Sequence, residues 1–559
     1  MDKNNLLAFL LIAVILILTP FYMNVVSPPK PAEAVAAASL SVQPVKTEHA
    51  PAITPAAPAA LSKPELSETR LDTQMTDAVL VHVETDMYSA EISSVNGGSI
   101  RSFRLHQYTM NDTEEVELVT EQNRNNLLLS TFSIDGDPVT LNHPWTMDDT
   151  NSLVEISDEP RTLTFKTVAL GQVVTKSLTF YPHTYKIDVK TNLTALDENL
   201  AEGTFNISWN GGIPVTEKIP KDDIYYFRGY VSQAGEINDP KISKKKALDQ
   251  KMVGNTDWVA VRSKYFAFAL IPDIPGMGAV ISGHQEDKEP FYNVGLILSA
   301  GQPQNMTLYL GPLEYKRIQK IDGLDHIMTF GWSIIRPISL AVLYVLTFTH
   351  RYIPNYGFIL ILFAIAVKLI VYPLTKKSYQ STKKMQQVQP LLAKLKEKYK
   401  SDPQKLNKAT MNLYKEQGVN PLGGCLPLLI QMPLLIALFQ VFRSTIELRG
   451  APFVLWITDL SAPDTLLHIG SFPLNILPIV MAVTMLFQQM MMPASGGPGQ
   501  QKSMAYFMNI FMLFIFYRFP SGLNLYYTLF NVLTIVQQKY LTPTDETPVP
   551  VPAKAAKKK

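Results

Sequence analysis

"FAIAVKLIVYPLTKKSYQST", residues 363–382, decides how the chain is read. Up to Pro373 it has the composition of a bilayer-crossing helix, yet it sets Lys368 among aliphatic residues and then runs into a basic, polar stretch. An ionisable side chain near the middle of a span costs about 2.5–3.5 kcal/mol on insertion scales, and such residues face polar cavities. The competing reading is a lysine whose long stem carries its charge out to the headgroups. The basic run begins only at Lys376, a long reach away, which favours a water-facing Lys368.

Four further apolar stretches follow. With the first they give spans near 356–374, 423–442, 474–492, 504–519 and 522–538, the length that a hydrocarbon core requires, with the fourth on the short side. Between the first two, Lys376 to Gly418 carries eleven lysines against Glu397, Asp402 and Glu416, and the chain ends "KAAKKK". The positive-inside rule puts both segments in the cytoplasm. Residues 376–420 read as a helical hairpin, because Asp402-Pro403 is an N-cap followed by proline at the first helical position. The hairpin presents Lys383, Lys384, Lys394, Lys396 and Lys398. By charge alone these lysines enforce topology or touch anionic lipid.

Working toward the N-terminus, residues 319–355 form a connector. Its segment Gly331–His350 carries Arg336 and Pro337 near its start and reads either as a span or as an interfacial helix with Trp332 and Arg336 at headgroup level; the short loop that follows favours the latter. Residues 73–318 change period. "VLVHVETDMYSAEIS", "TLTFKTVAL" and "VVTKSLTFYPHTYKIDVKTNL" alternate in twos, with turn signals such as Asn96-Gly97-Gly98 between runs and no helical intervals. This predicts an antiparallel β-sandwich. Residues 27–72, rich in Pro and Ala, read as a disordered tether, and Leu6–Val26 as an uncleaved anchor within residues 1–26. The tail is 542–559. Both termini are then cytoplasmic and the sandwich lies on the far side. The fold class is an α+β multidomain membrane protein.

Lys+Arg of 50 against Asp+Glu of 48 gives no global attraction to nucleic acid, so no specific DNA binding is expected. The single cysteine, Cys425, excludes an internal disulfide and reads as a packing residue. There is no HExxH, no GxSxG and no cysteine pair, and "GGPGQQKS" at 496–503 has Gln501 where a phosphate loop needs glycine. No catalytic residue, cofactor or metal is expected. The last apolar stretch instead carries Asn524, Tyr527, Asn531, Thr534 and Gln538, spaced three, four, three and four apart on one helical face. Gln431, beside Pro433, is a further polar candidate. Such stripes also serve as interhelix hydrogen-bonding glue. The spans hold no acid to neutralise Lys368, so water or an incoming acidic segment is the expected partner. A solute or ion transporter is the alternative, but neither paired broken helices nor intramembrane acids are evident. A sugar-processing enzyme on the sandwich would need paired carboxylates that sequence cannot place.

"YPLTKKSYQSTKKMQQVQP", "LYKEQGVNPLGGCLPLLIQMPLLIALF", "APFVLWITDLS" and "FPSGLNLYYTLFNVLTIVQQ", in this order, closely resemble the YidC membrane insertases of Gram-negative bacteria, kin to the mitochondrial Oxa and chloroplast Alb proteins. "DWVAVRSKYFAFALIP" and "LYLGPLEYKR" resemble that family's large periplasmic domain. The resemblance implies a β-supersandwich in the periplasm, a five-helix core at 356–541 with a groove open to the cytoplasm, and location in the bacterial inner membrane. It implies insertion and folding of nascent membrane proteins without ATP, alone or beside the Sec translocon. Lys368 falls where the family typically has a groove arginine, a departure that keeps the charge but loses the rigid fork of donors.

Overall fold

The computed structural model describes residues 78–541 apart from 111–112, 149–151, 244–245, 288, 322, 401, 419–425, 471 and 492–497. The expected anchor, tether and basic tail, together with Cys425, lie outside the described residues.

The N-terminal half is a sandwich because its strands carry one apolar face each. In Leu80–Thr85 burial alternates residue by residue, so Val81 and Val83 enter the core while His82 and Glu84 face solvent. One sheet has five strands in the order Glu115–Glu117, Ser99–Thr109, Tyr88–Ser93, Leu80–Thr85, Leu153–Ile156. The other has fourteen, and its main path runs from Pro138–Thr140 and Asn126–Phe132 through Thr204–Trp209, Glu289–Ser299, Gly276–Glu286 and Leu248–Arg262. It continues through Phe266–Pro272, Gln304–Pro312, Lys186–Asn192, Gln172–Phe180 and Arg161–Ala169 to Thr146–Met147. The strands of "DWVAVRSKYFAFALIP" are buried almost throughout, as central strands covered on both faces should be.

Two details depart from the alternation-based reading. Leu153–Ile156 joins Leu80–Thr85 in parallel, His82 opposite Leu153, which the long excursion between them permits where a tight turn could not. A short helix, Pro220–Ile224, and a 3-10 segment, Thr194–Asn199, interrupt what read as strands and turns alone. Pro220 supplies the first, since its fixed φ suits the opening helical position.

Among the described residues seven longer helices follow: α1 (Arg336–His350), α2 (Tyr356–Lys398), α3 (Pro403–Glu416), α4 (Leu426–Ser444), α5 (Leu477–Met490), α6 (Pro498–Phe516) and α7 (Ser521–Val536). A hairpin of strands, Thr465–Ile469 with Phe472–Asn475, sits between α4 and α5. Among the described residues one segment, Tyr356–Pro373, is long and apolar enough to cross a membrane, and Leu477–Met490 and Tyr506–Phe516 are shorter apolar helices. Leu369, Ile370, Phe487, Ile510 and Phe514 point outward from these helices, an arrangement that suits lipid and not water. α2 continues without a break for 43 residues through Pro373 and Pro390, so the stretch read as a span and the first arm of the hairpin are one helix. The hairpin closes on its own small core of Met385, Val388, Leu392 and Leu413, and Asp402 caps α3 by accepting from the Lys405 amide at 3.0 Å.

Sandwich and helices share one contiguous buried core. Arg262, fully buried, donates to the carbonyls of Ser263, Lys264 and Ile327 and so pins the connector that leads into α1. Glu217 of the sandwich pairs with Arg449, just beyond α4, at 2.8 Å with both side chains largely buried.

Candidate functional site

Lys368 lies on α2 and is half-buried against α7. Its ammonium donates to Thr534 Oγ1 at 2.6 Å and to Gln537 Oε1 at 3.5 Å, and stands 3.8 Å from the centre of the Phe530 ring. All three partners are neutral. The Thr534 hydroxyl, while accepting from Lys368, donates back to the Phe530 carbonyl at 2.6 Å, and Gln537 Nε2 donates to Thr375 Oγ1 at 3.0 Å. A closed polar patch therefore joins α2 to the end of α7. The aromatic face adds about 0.5–2 kcal/mol of attraction for a partly desolvated cation.

The other predicted residues separate into different places. Asn531 Nδ2 reaches Thr484 Oγ1 on α5 at 3.3 Å. Asn524, fully buried, donates to the carbonyls of Phe516 and Phe519 and so caps the end of α6. The Tyr527 ring packs edge-on against Phe516, and its hydroxyl is buried with no hydrogen-bond partner among the described residues. Gln431 is half-buried on α4, and no hydrogen bond among the described residues ties it to the Lys368 patch. The reason is helical geometry: at about 100° per residue, Phe530, Thr534 and Gln537 centre about 80° around α7 from Asn524, Tyr527, Asn531 and Gln538. One face meets α2 and the other meets α5 and α6.

Sequence spacing selected Gln538, whereas Gln537 reaches the lysine. At about 100° per residue Gln537 falls on the Phe530–Thr534 face, and the helix loosens into a π-turn over Gln537–Leu541. A second polar contact, Asn509 Nδ2 to Gln489 Oε1 at 2.6 Å between α6 and α5, went unread because Asn509 is solitary in its apolar stretch and Gln489, beside Gln488, has no polar residue one turn away to make a stripe. In the hairpin, Lys384, Lys394 and Lys398 are exposed and Lys396 is half-buried; the side chain of Lys383 lies outside the described residues. Lys398 stands over the Tyr399 ring at 5.3 Å. Among the described residues the surface offers several exposed cations side by side.

The patch is suited to holding and releasing charge, not to breaking bonds. A carboxylate arriving beside Lys368 exchanges neutral acceptors for an ionic one, and hydrogen bonds to charged groups are roughly twice as strong as neutral ones.

The sequence matches the YidC periplasmic domain family over residues 80–340 and the 60Kd inner membrane protein family over residues 348–547. A membrane protein insertase YidC of Chlorobaculum parvum is 34% identical over 97% of this chain and 95% of its own length. That of Prosthecochloris aestuarii is 33% identical over 100% of this chain and 99% of its own. A crystal structure of an active YidC insertase with its first transmembrane domain resolved is similar over 83% of this chain and 92% of that one, at 20% identity and a TM-score of 0.37, too loose a likeness to carry weight beside the sequence matches. Two adjoining family matches and relatives aligned end to end place the chain in the YidC family of membrane protein insertases.

Proposed function

We propose that this chain inserts and folds membrane proteins by lending a polar, cation-bearing face to the segment of substrate that must cross the membrane. The observation that carries this reading is Lys368, set in an apolar helix and met, among the described residues, by a hydroxyl, an amide and an aromatic ring. An acidic residue of the substrate displaces these weak partners, and the surrounding polar atoms of Thr534 and Gln537 replace part of its hydration. The substrate's own apolar helix then leaves sideways into lipid, and its burial drives the step, so nucleotide hydrolysis is not needed.

In this reading the helices α2, α4, α5, α6 and α7 form a five-span core in the inner membrane, α1 lies in the interface, and the sandwich is periplasmic. The N- and C-termini and the hairpin α2–α3 are cytoplasmic. The exposed lysines Lys384, Lys394 and Lys398 meet the nascent chain or its ribosome, and the Sec translocon is a partner for larger substrates.

The test is insertion of a small phage-coat-like protein into proteoliposomes that contain only this chain. Wild type inserts it without nucleotide. Lys368→Met slows insertion of acidic translocated segments by about tenfold, the kinetic equivalent of some 1.4 kcal/mol, and leaves neutral segments unchanged. Equal rates for both segment types would remove the lysine from the mechanism, and failure of wild type would remove autonomous insertion.

A further inference from the structure

We infer that the junction between the sandwich and the helices holds a binding site for the phosphodiester of an anionic phospholipid of the outer leaflet. The site is a cavity of about 140 Å³ lined by Asp222 and Lys264 from the sandwich and by Arg443, Arg518, Phe439 and Phe519 from the helical half. That is close to the roughly 150 Å³ of an engineered cavity that takes up benzene, enough for a headgroup phosphate and not for a whole lipid. Three cations face one carboxylate there.

None of the three cations is spent on an ion pair among the described residues. Lys264 is 5% exposed, and its ammonium lies against the Tyr265 ring at 4.7 Å. Arg443 stacks on Tyr225 and Tyr226, with its guanidinium carbon 4.9 Å and 5.5 Å from the ring centres. Arg518 is exposed at the mouth. Two further carboxylates lie near Lys264 but are already engaged. Asp223 accepts from the Thr216 amide and hydroxyl and from the Lys264 amide, and Glu217 is held by Arg449.

A cation at a helix C-terminus is favoured by the macrodipole alone, which accounts for Arg443 at the end of α4 and Arg518 just past α6. It does not account for a buried lysine from another part of the chain turned into the same cavity. Guanidinium pairs bind phosphate through parallel donors, and a lysine adds a point charge. Phe439, Phe519, Pro463 and Pro520 give the glycerol and the start of the acyl chains an apolar wall. α4 and α6 both end at this cavity, so in the bilayer placement proposed above it lies at headgroup depth.

The test uses the full chain, delipidated and reconstituted in nanodiscs of phosphatidylcholine with one fifth phosphatidylglycerol, then released and weighed by native mass spectrometry. Wild type is expected to retain one phosphatidylglycerol, and the double variant Arg443→Gln, Arg518→Gln at least tenfold less at unchanged unfolding temperature. Arg518→Gln alone, at an exposed position, should already reduce retention severalfold. Equal retention by wild type and variants, or retention of phosphatidylcholine just as well, would overturn the site. Protection of the cavity by inorganic phosphate without lipid retention would make it a small-anion site and overturn the lipid assignment. Failure to enter nanodiscs at all would count against the bilayer placement instead.

Discussion

At the residue scale, Lys368 and Lys176 are two lysines out of water with different consequences. Thr534→Val removes the nearest acceptor of Lys368 and should cost about 1–3 kcal/mol of stability, read as a fall in unfolding temperature in detergent; no change would mean the lysine has another partner of equal quality. Lys176 is fully buried in the sandwich, where its ammonium meets the carbonyls of Leu127 at 2.6 Å and Asn96 at 3.0 Å, and burial lowers its pKa to about 7. Lys368 was legible from the sequence because it breaks an apolar run. Lys176 was passed over, although in "QVVTKSLTF" it shares the inward parity of Val174, Leu178 and Phe180, and that parity was the available signal. The polar stripe was legible as a set of residues but not as two faces, since counting in threes and fours cannot resolve an offset below one quarter turn.

Element by element, close packing depends on small residues at two helix starts. A Cβ at Gly357, in the first turn of α2, would collide with the Phe453 ring, and one at Gly522, in the first turn of α7, with Phe442. Gly357→Ala and Gly522→Ala should each destabilise by about 1–3 kcal/mol through overpacking; an unchanged unfolding temperature for either would mean that its ring moves aside freely. The strands were the most legible elements, because period-two alternation and burial agree along Leu80–Thr85 and Gln172–Phe180. Less legible was the parallel addition of Leu153–Ile156, which rests on which edge is free once the sandwich has formed. Continuity of α2 was hidden by Pro373, an expected stop in water at the end of the apolar run, whereas Pro390 fell inside an arm already read as helical. Within membrane-embedded helices such prolines are tolerated because neighbouring groups satisfy the freed carbonyls.

For the whole molecule, the junction sets how the two halves unfold. Removing one member of the largely buried Glu217–Arg449 pair strands its partner, so Arg449→Met should cost about 3–5 kcal/mol and split a shared calorimetric transition into two. A single unshifted transition would show that the common apolar core suffices. Burial raises Glu447, just beyond α4, from an ordinary 4.5 to about 7. The folded state then holds protons that the unfolded chain has released, so stability falls as pH rises from about 4.5 to 7. Lys176 acts in the next window: the unfolded chain keeps a proton that the folded state lacks, so stability climbs from about pH 7 toward the ordinary 10.5. Unfolding temperature against pH should therefore dip near neutrality, with Glu447→Gln flattening the acid limb and Lys176→Met the alkaline one; a monotonic profile in wild type would contradict both. The unbroken α2 has a mechanical consequence as well. At 1.5 Å per residue its 43 residues make a rod of about 64 Å, rooted beside Phe453 and ending in the lysine-bearing arm. Pro373, five positions past Lys368, leaves the Leu369 carbonyl without its helical donor and makes a soft joint in the rod, as Pro390 does further along. Load on the distal arm therefore bends the lever at these joints, and Lys368, on the near side of both, keeps its place against Phe530.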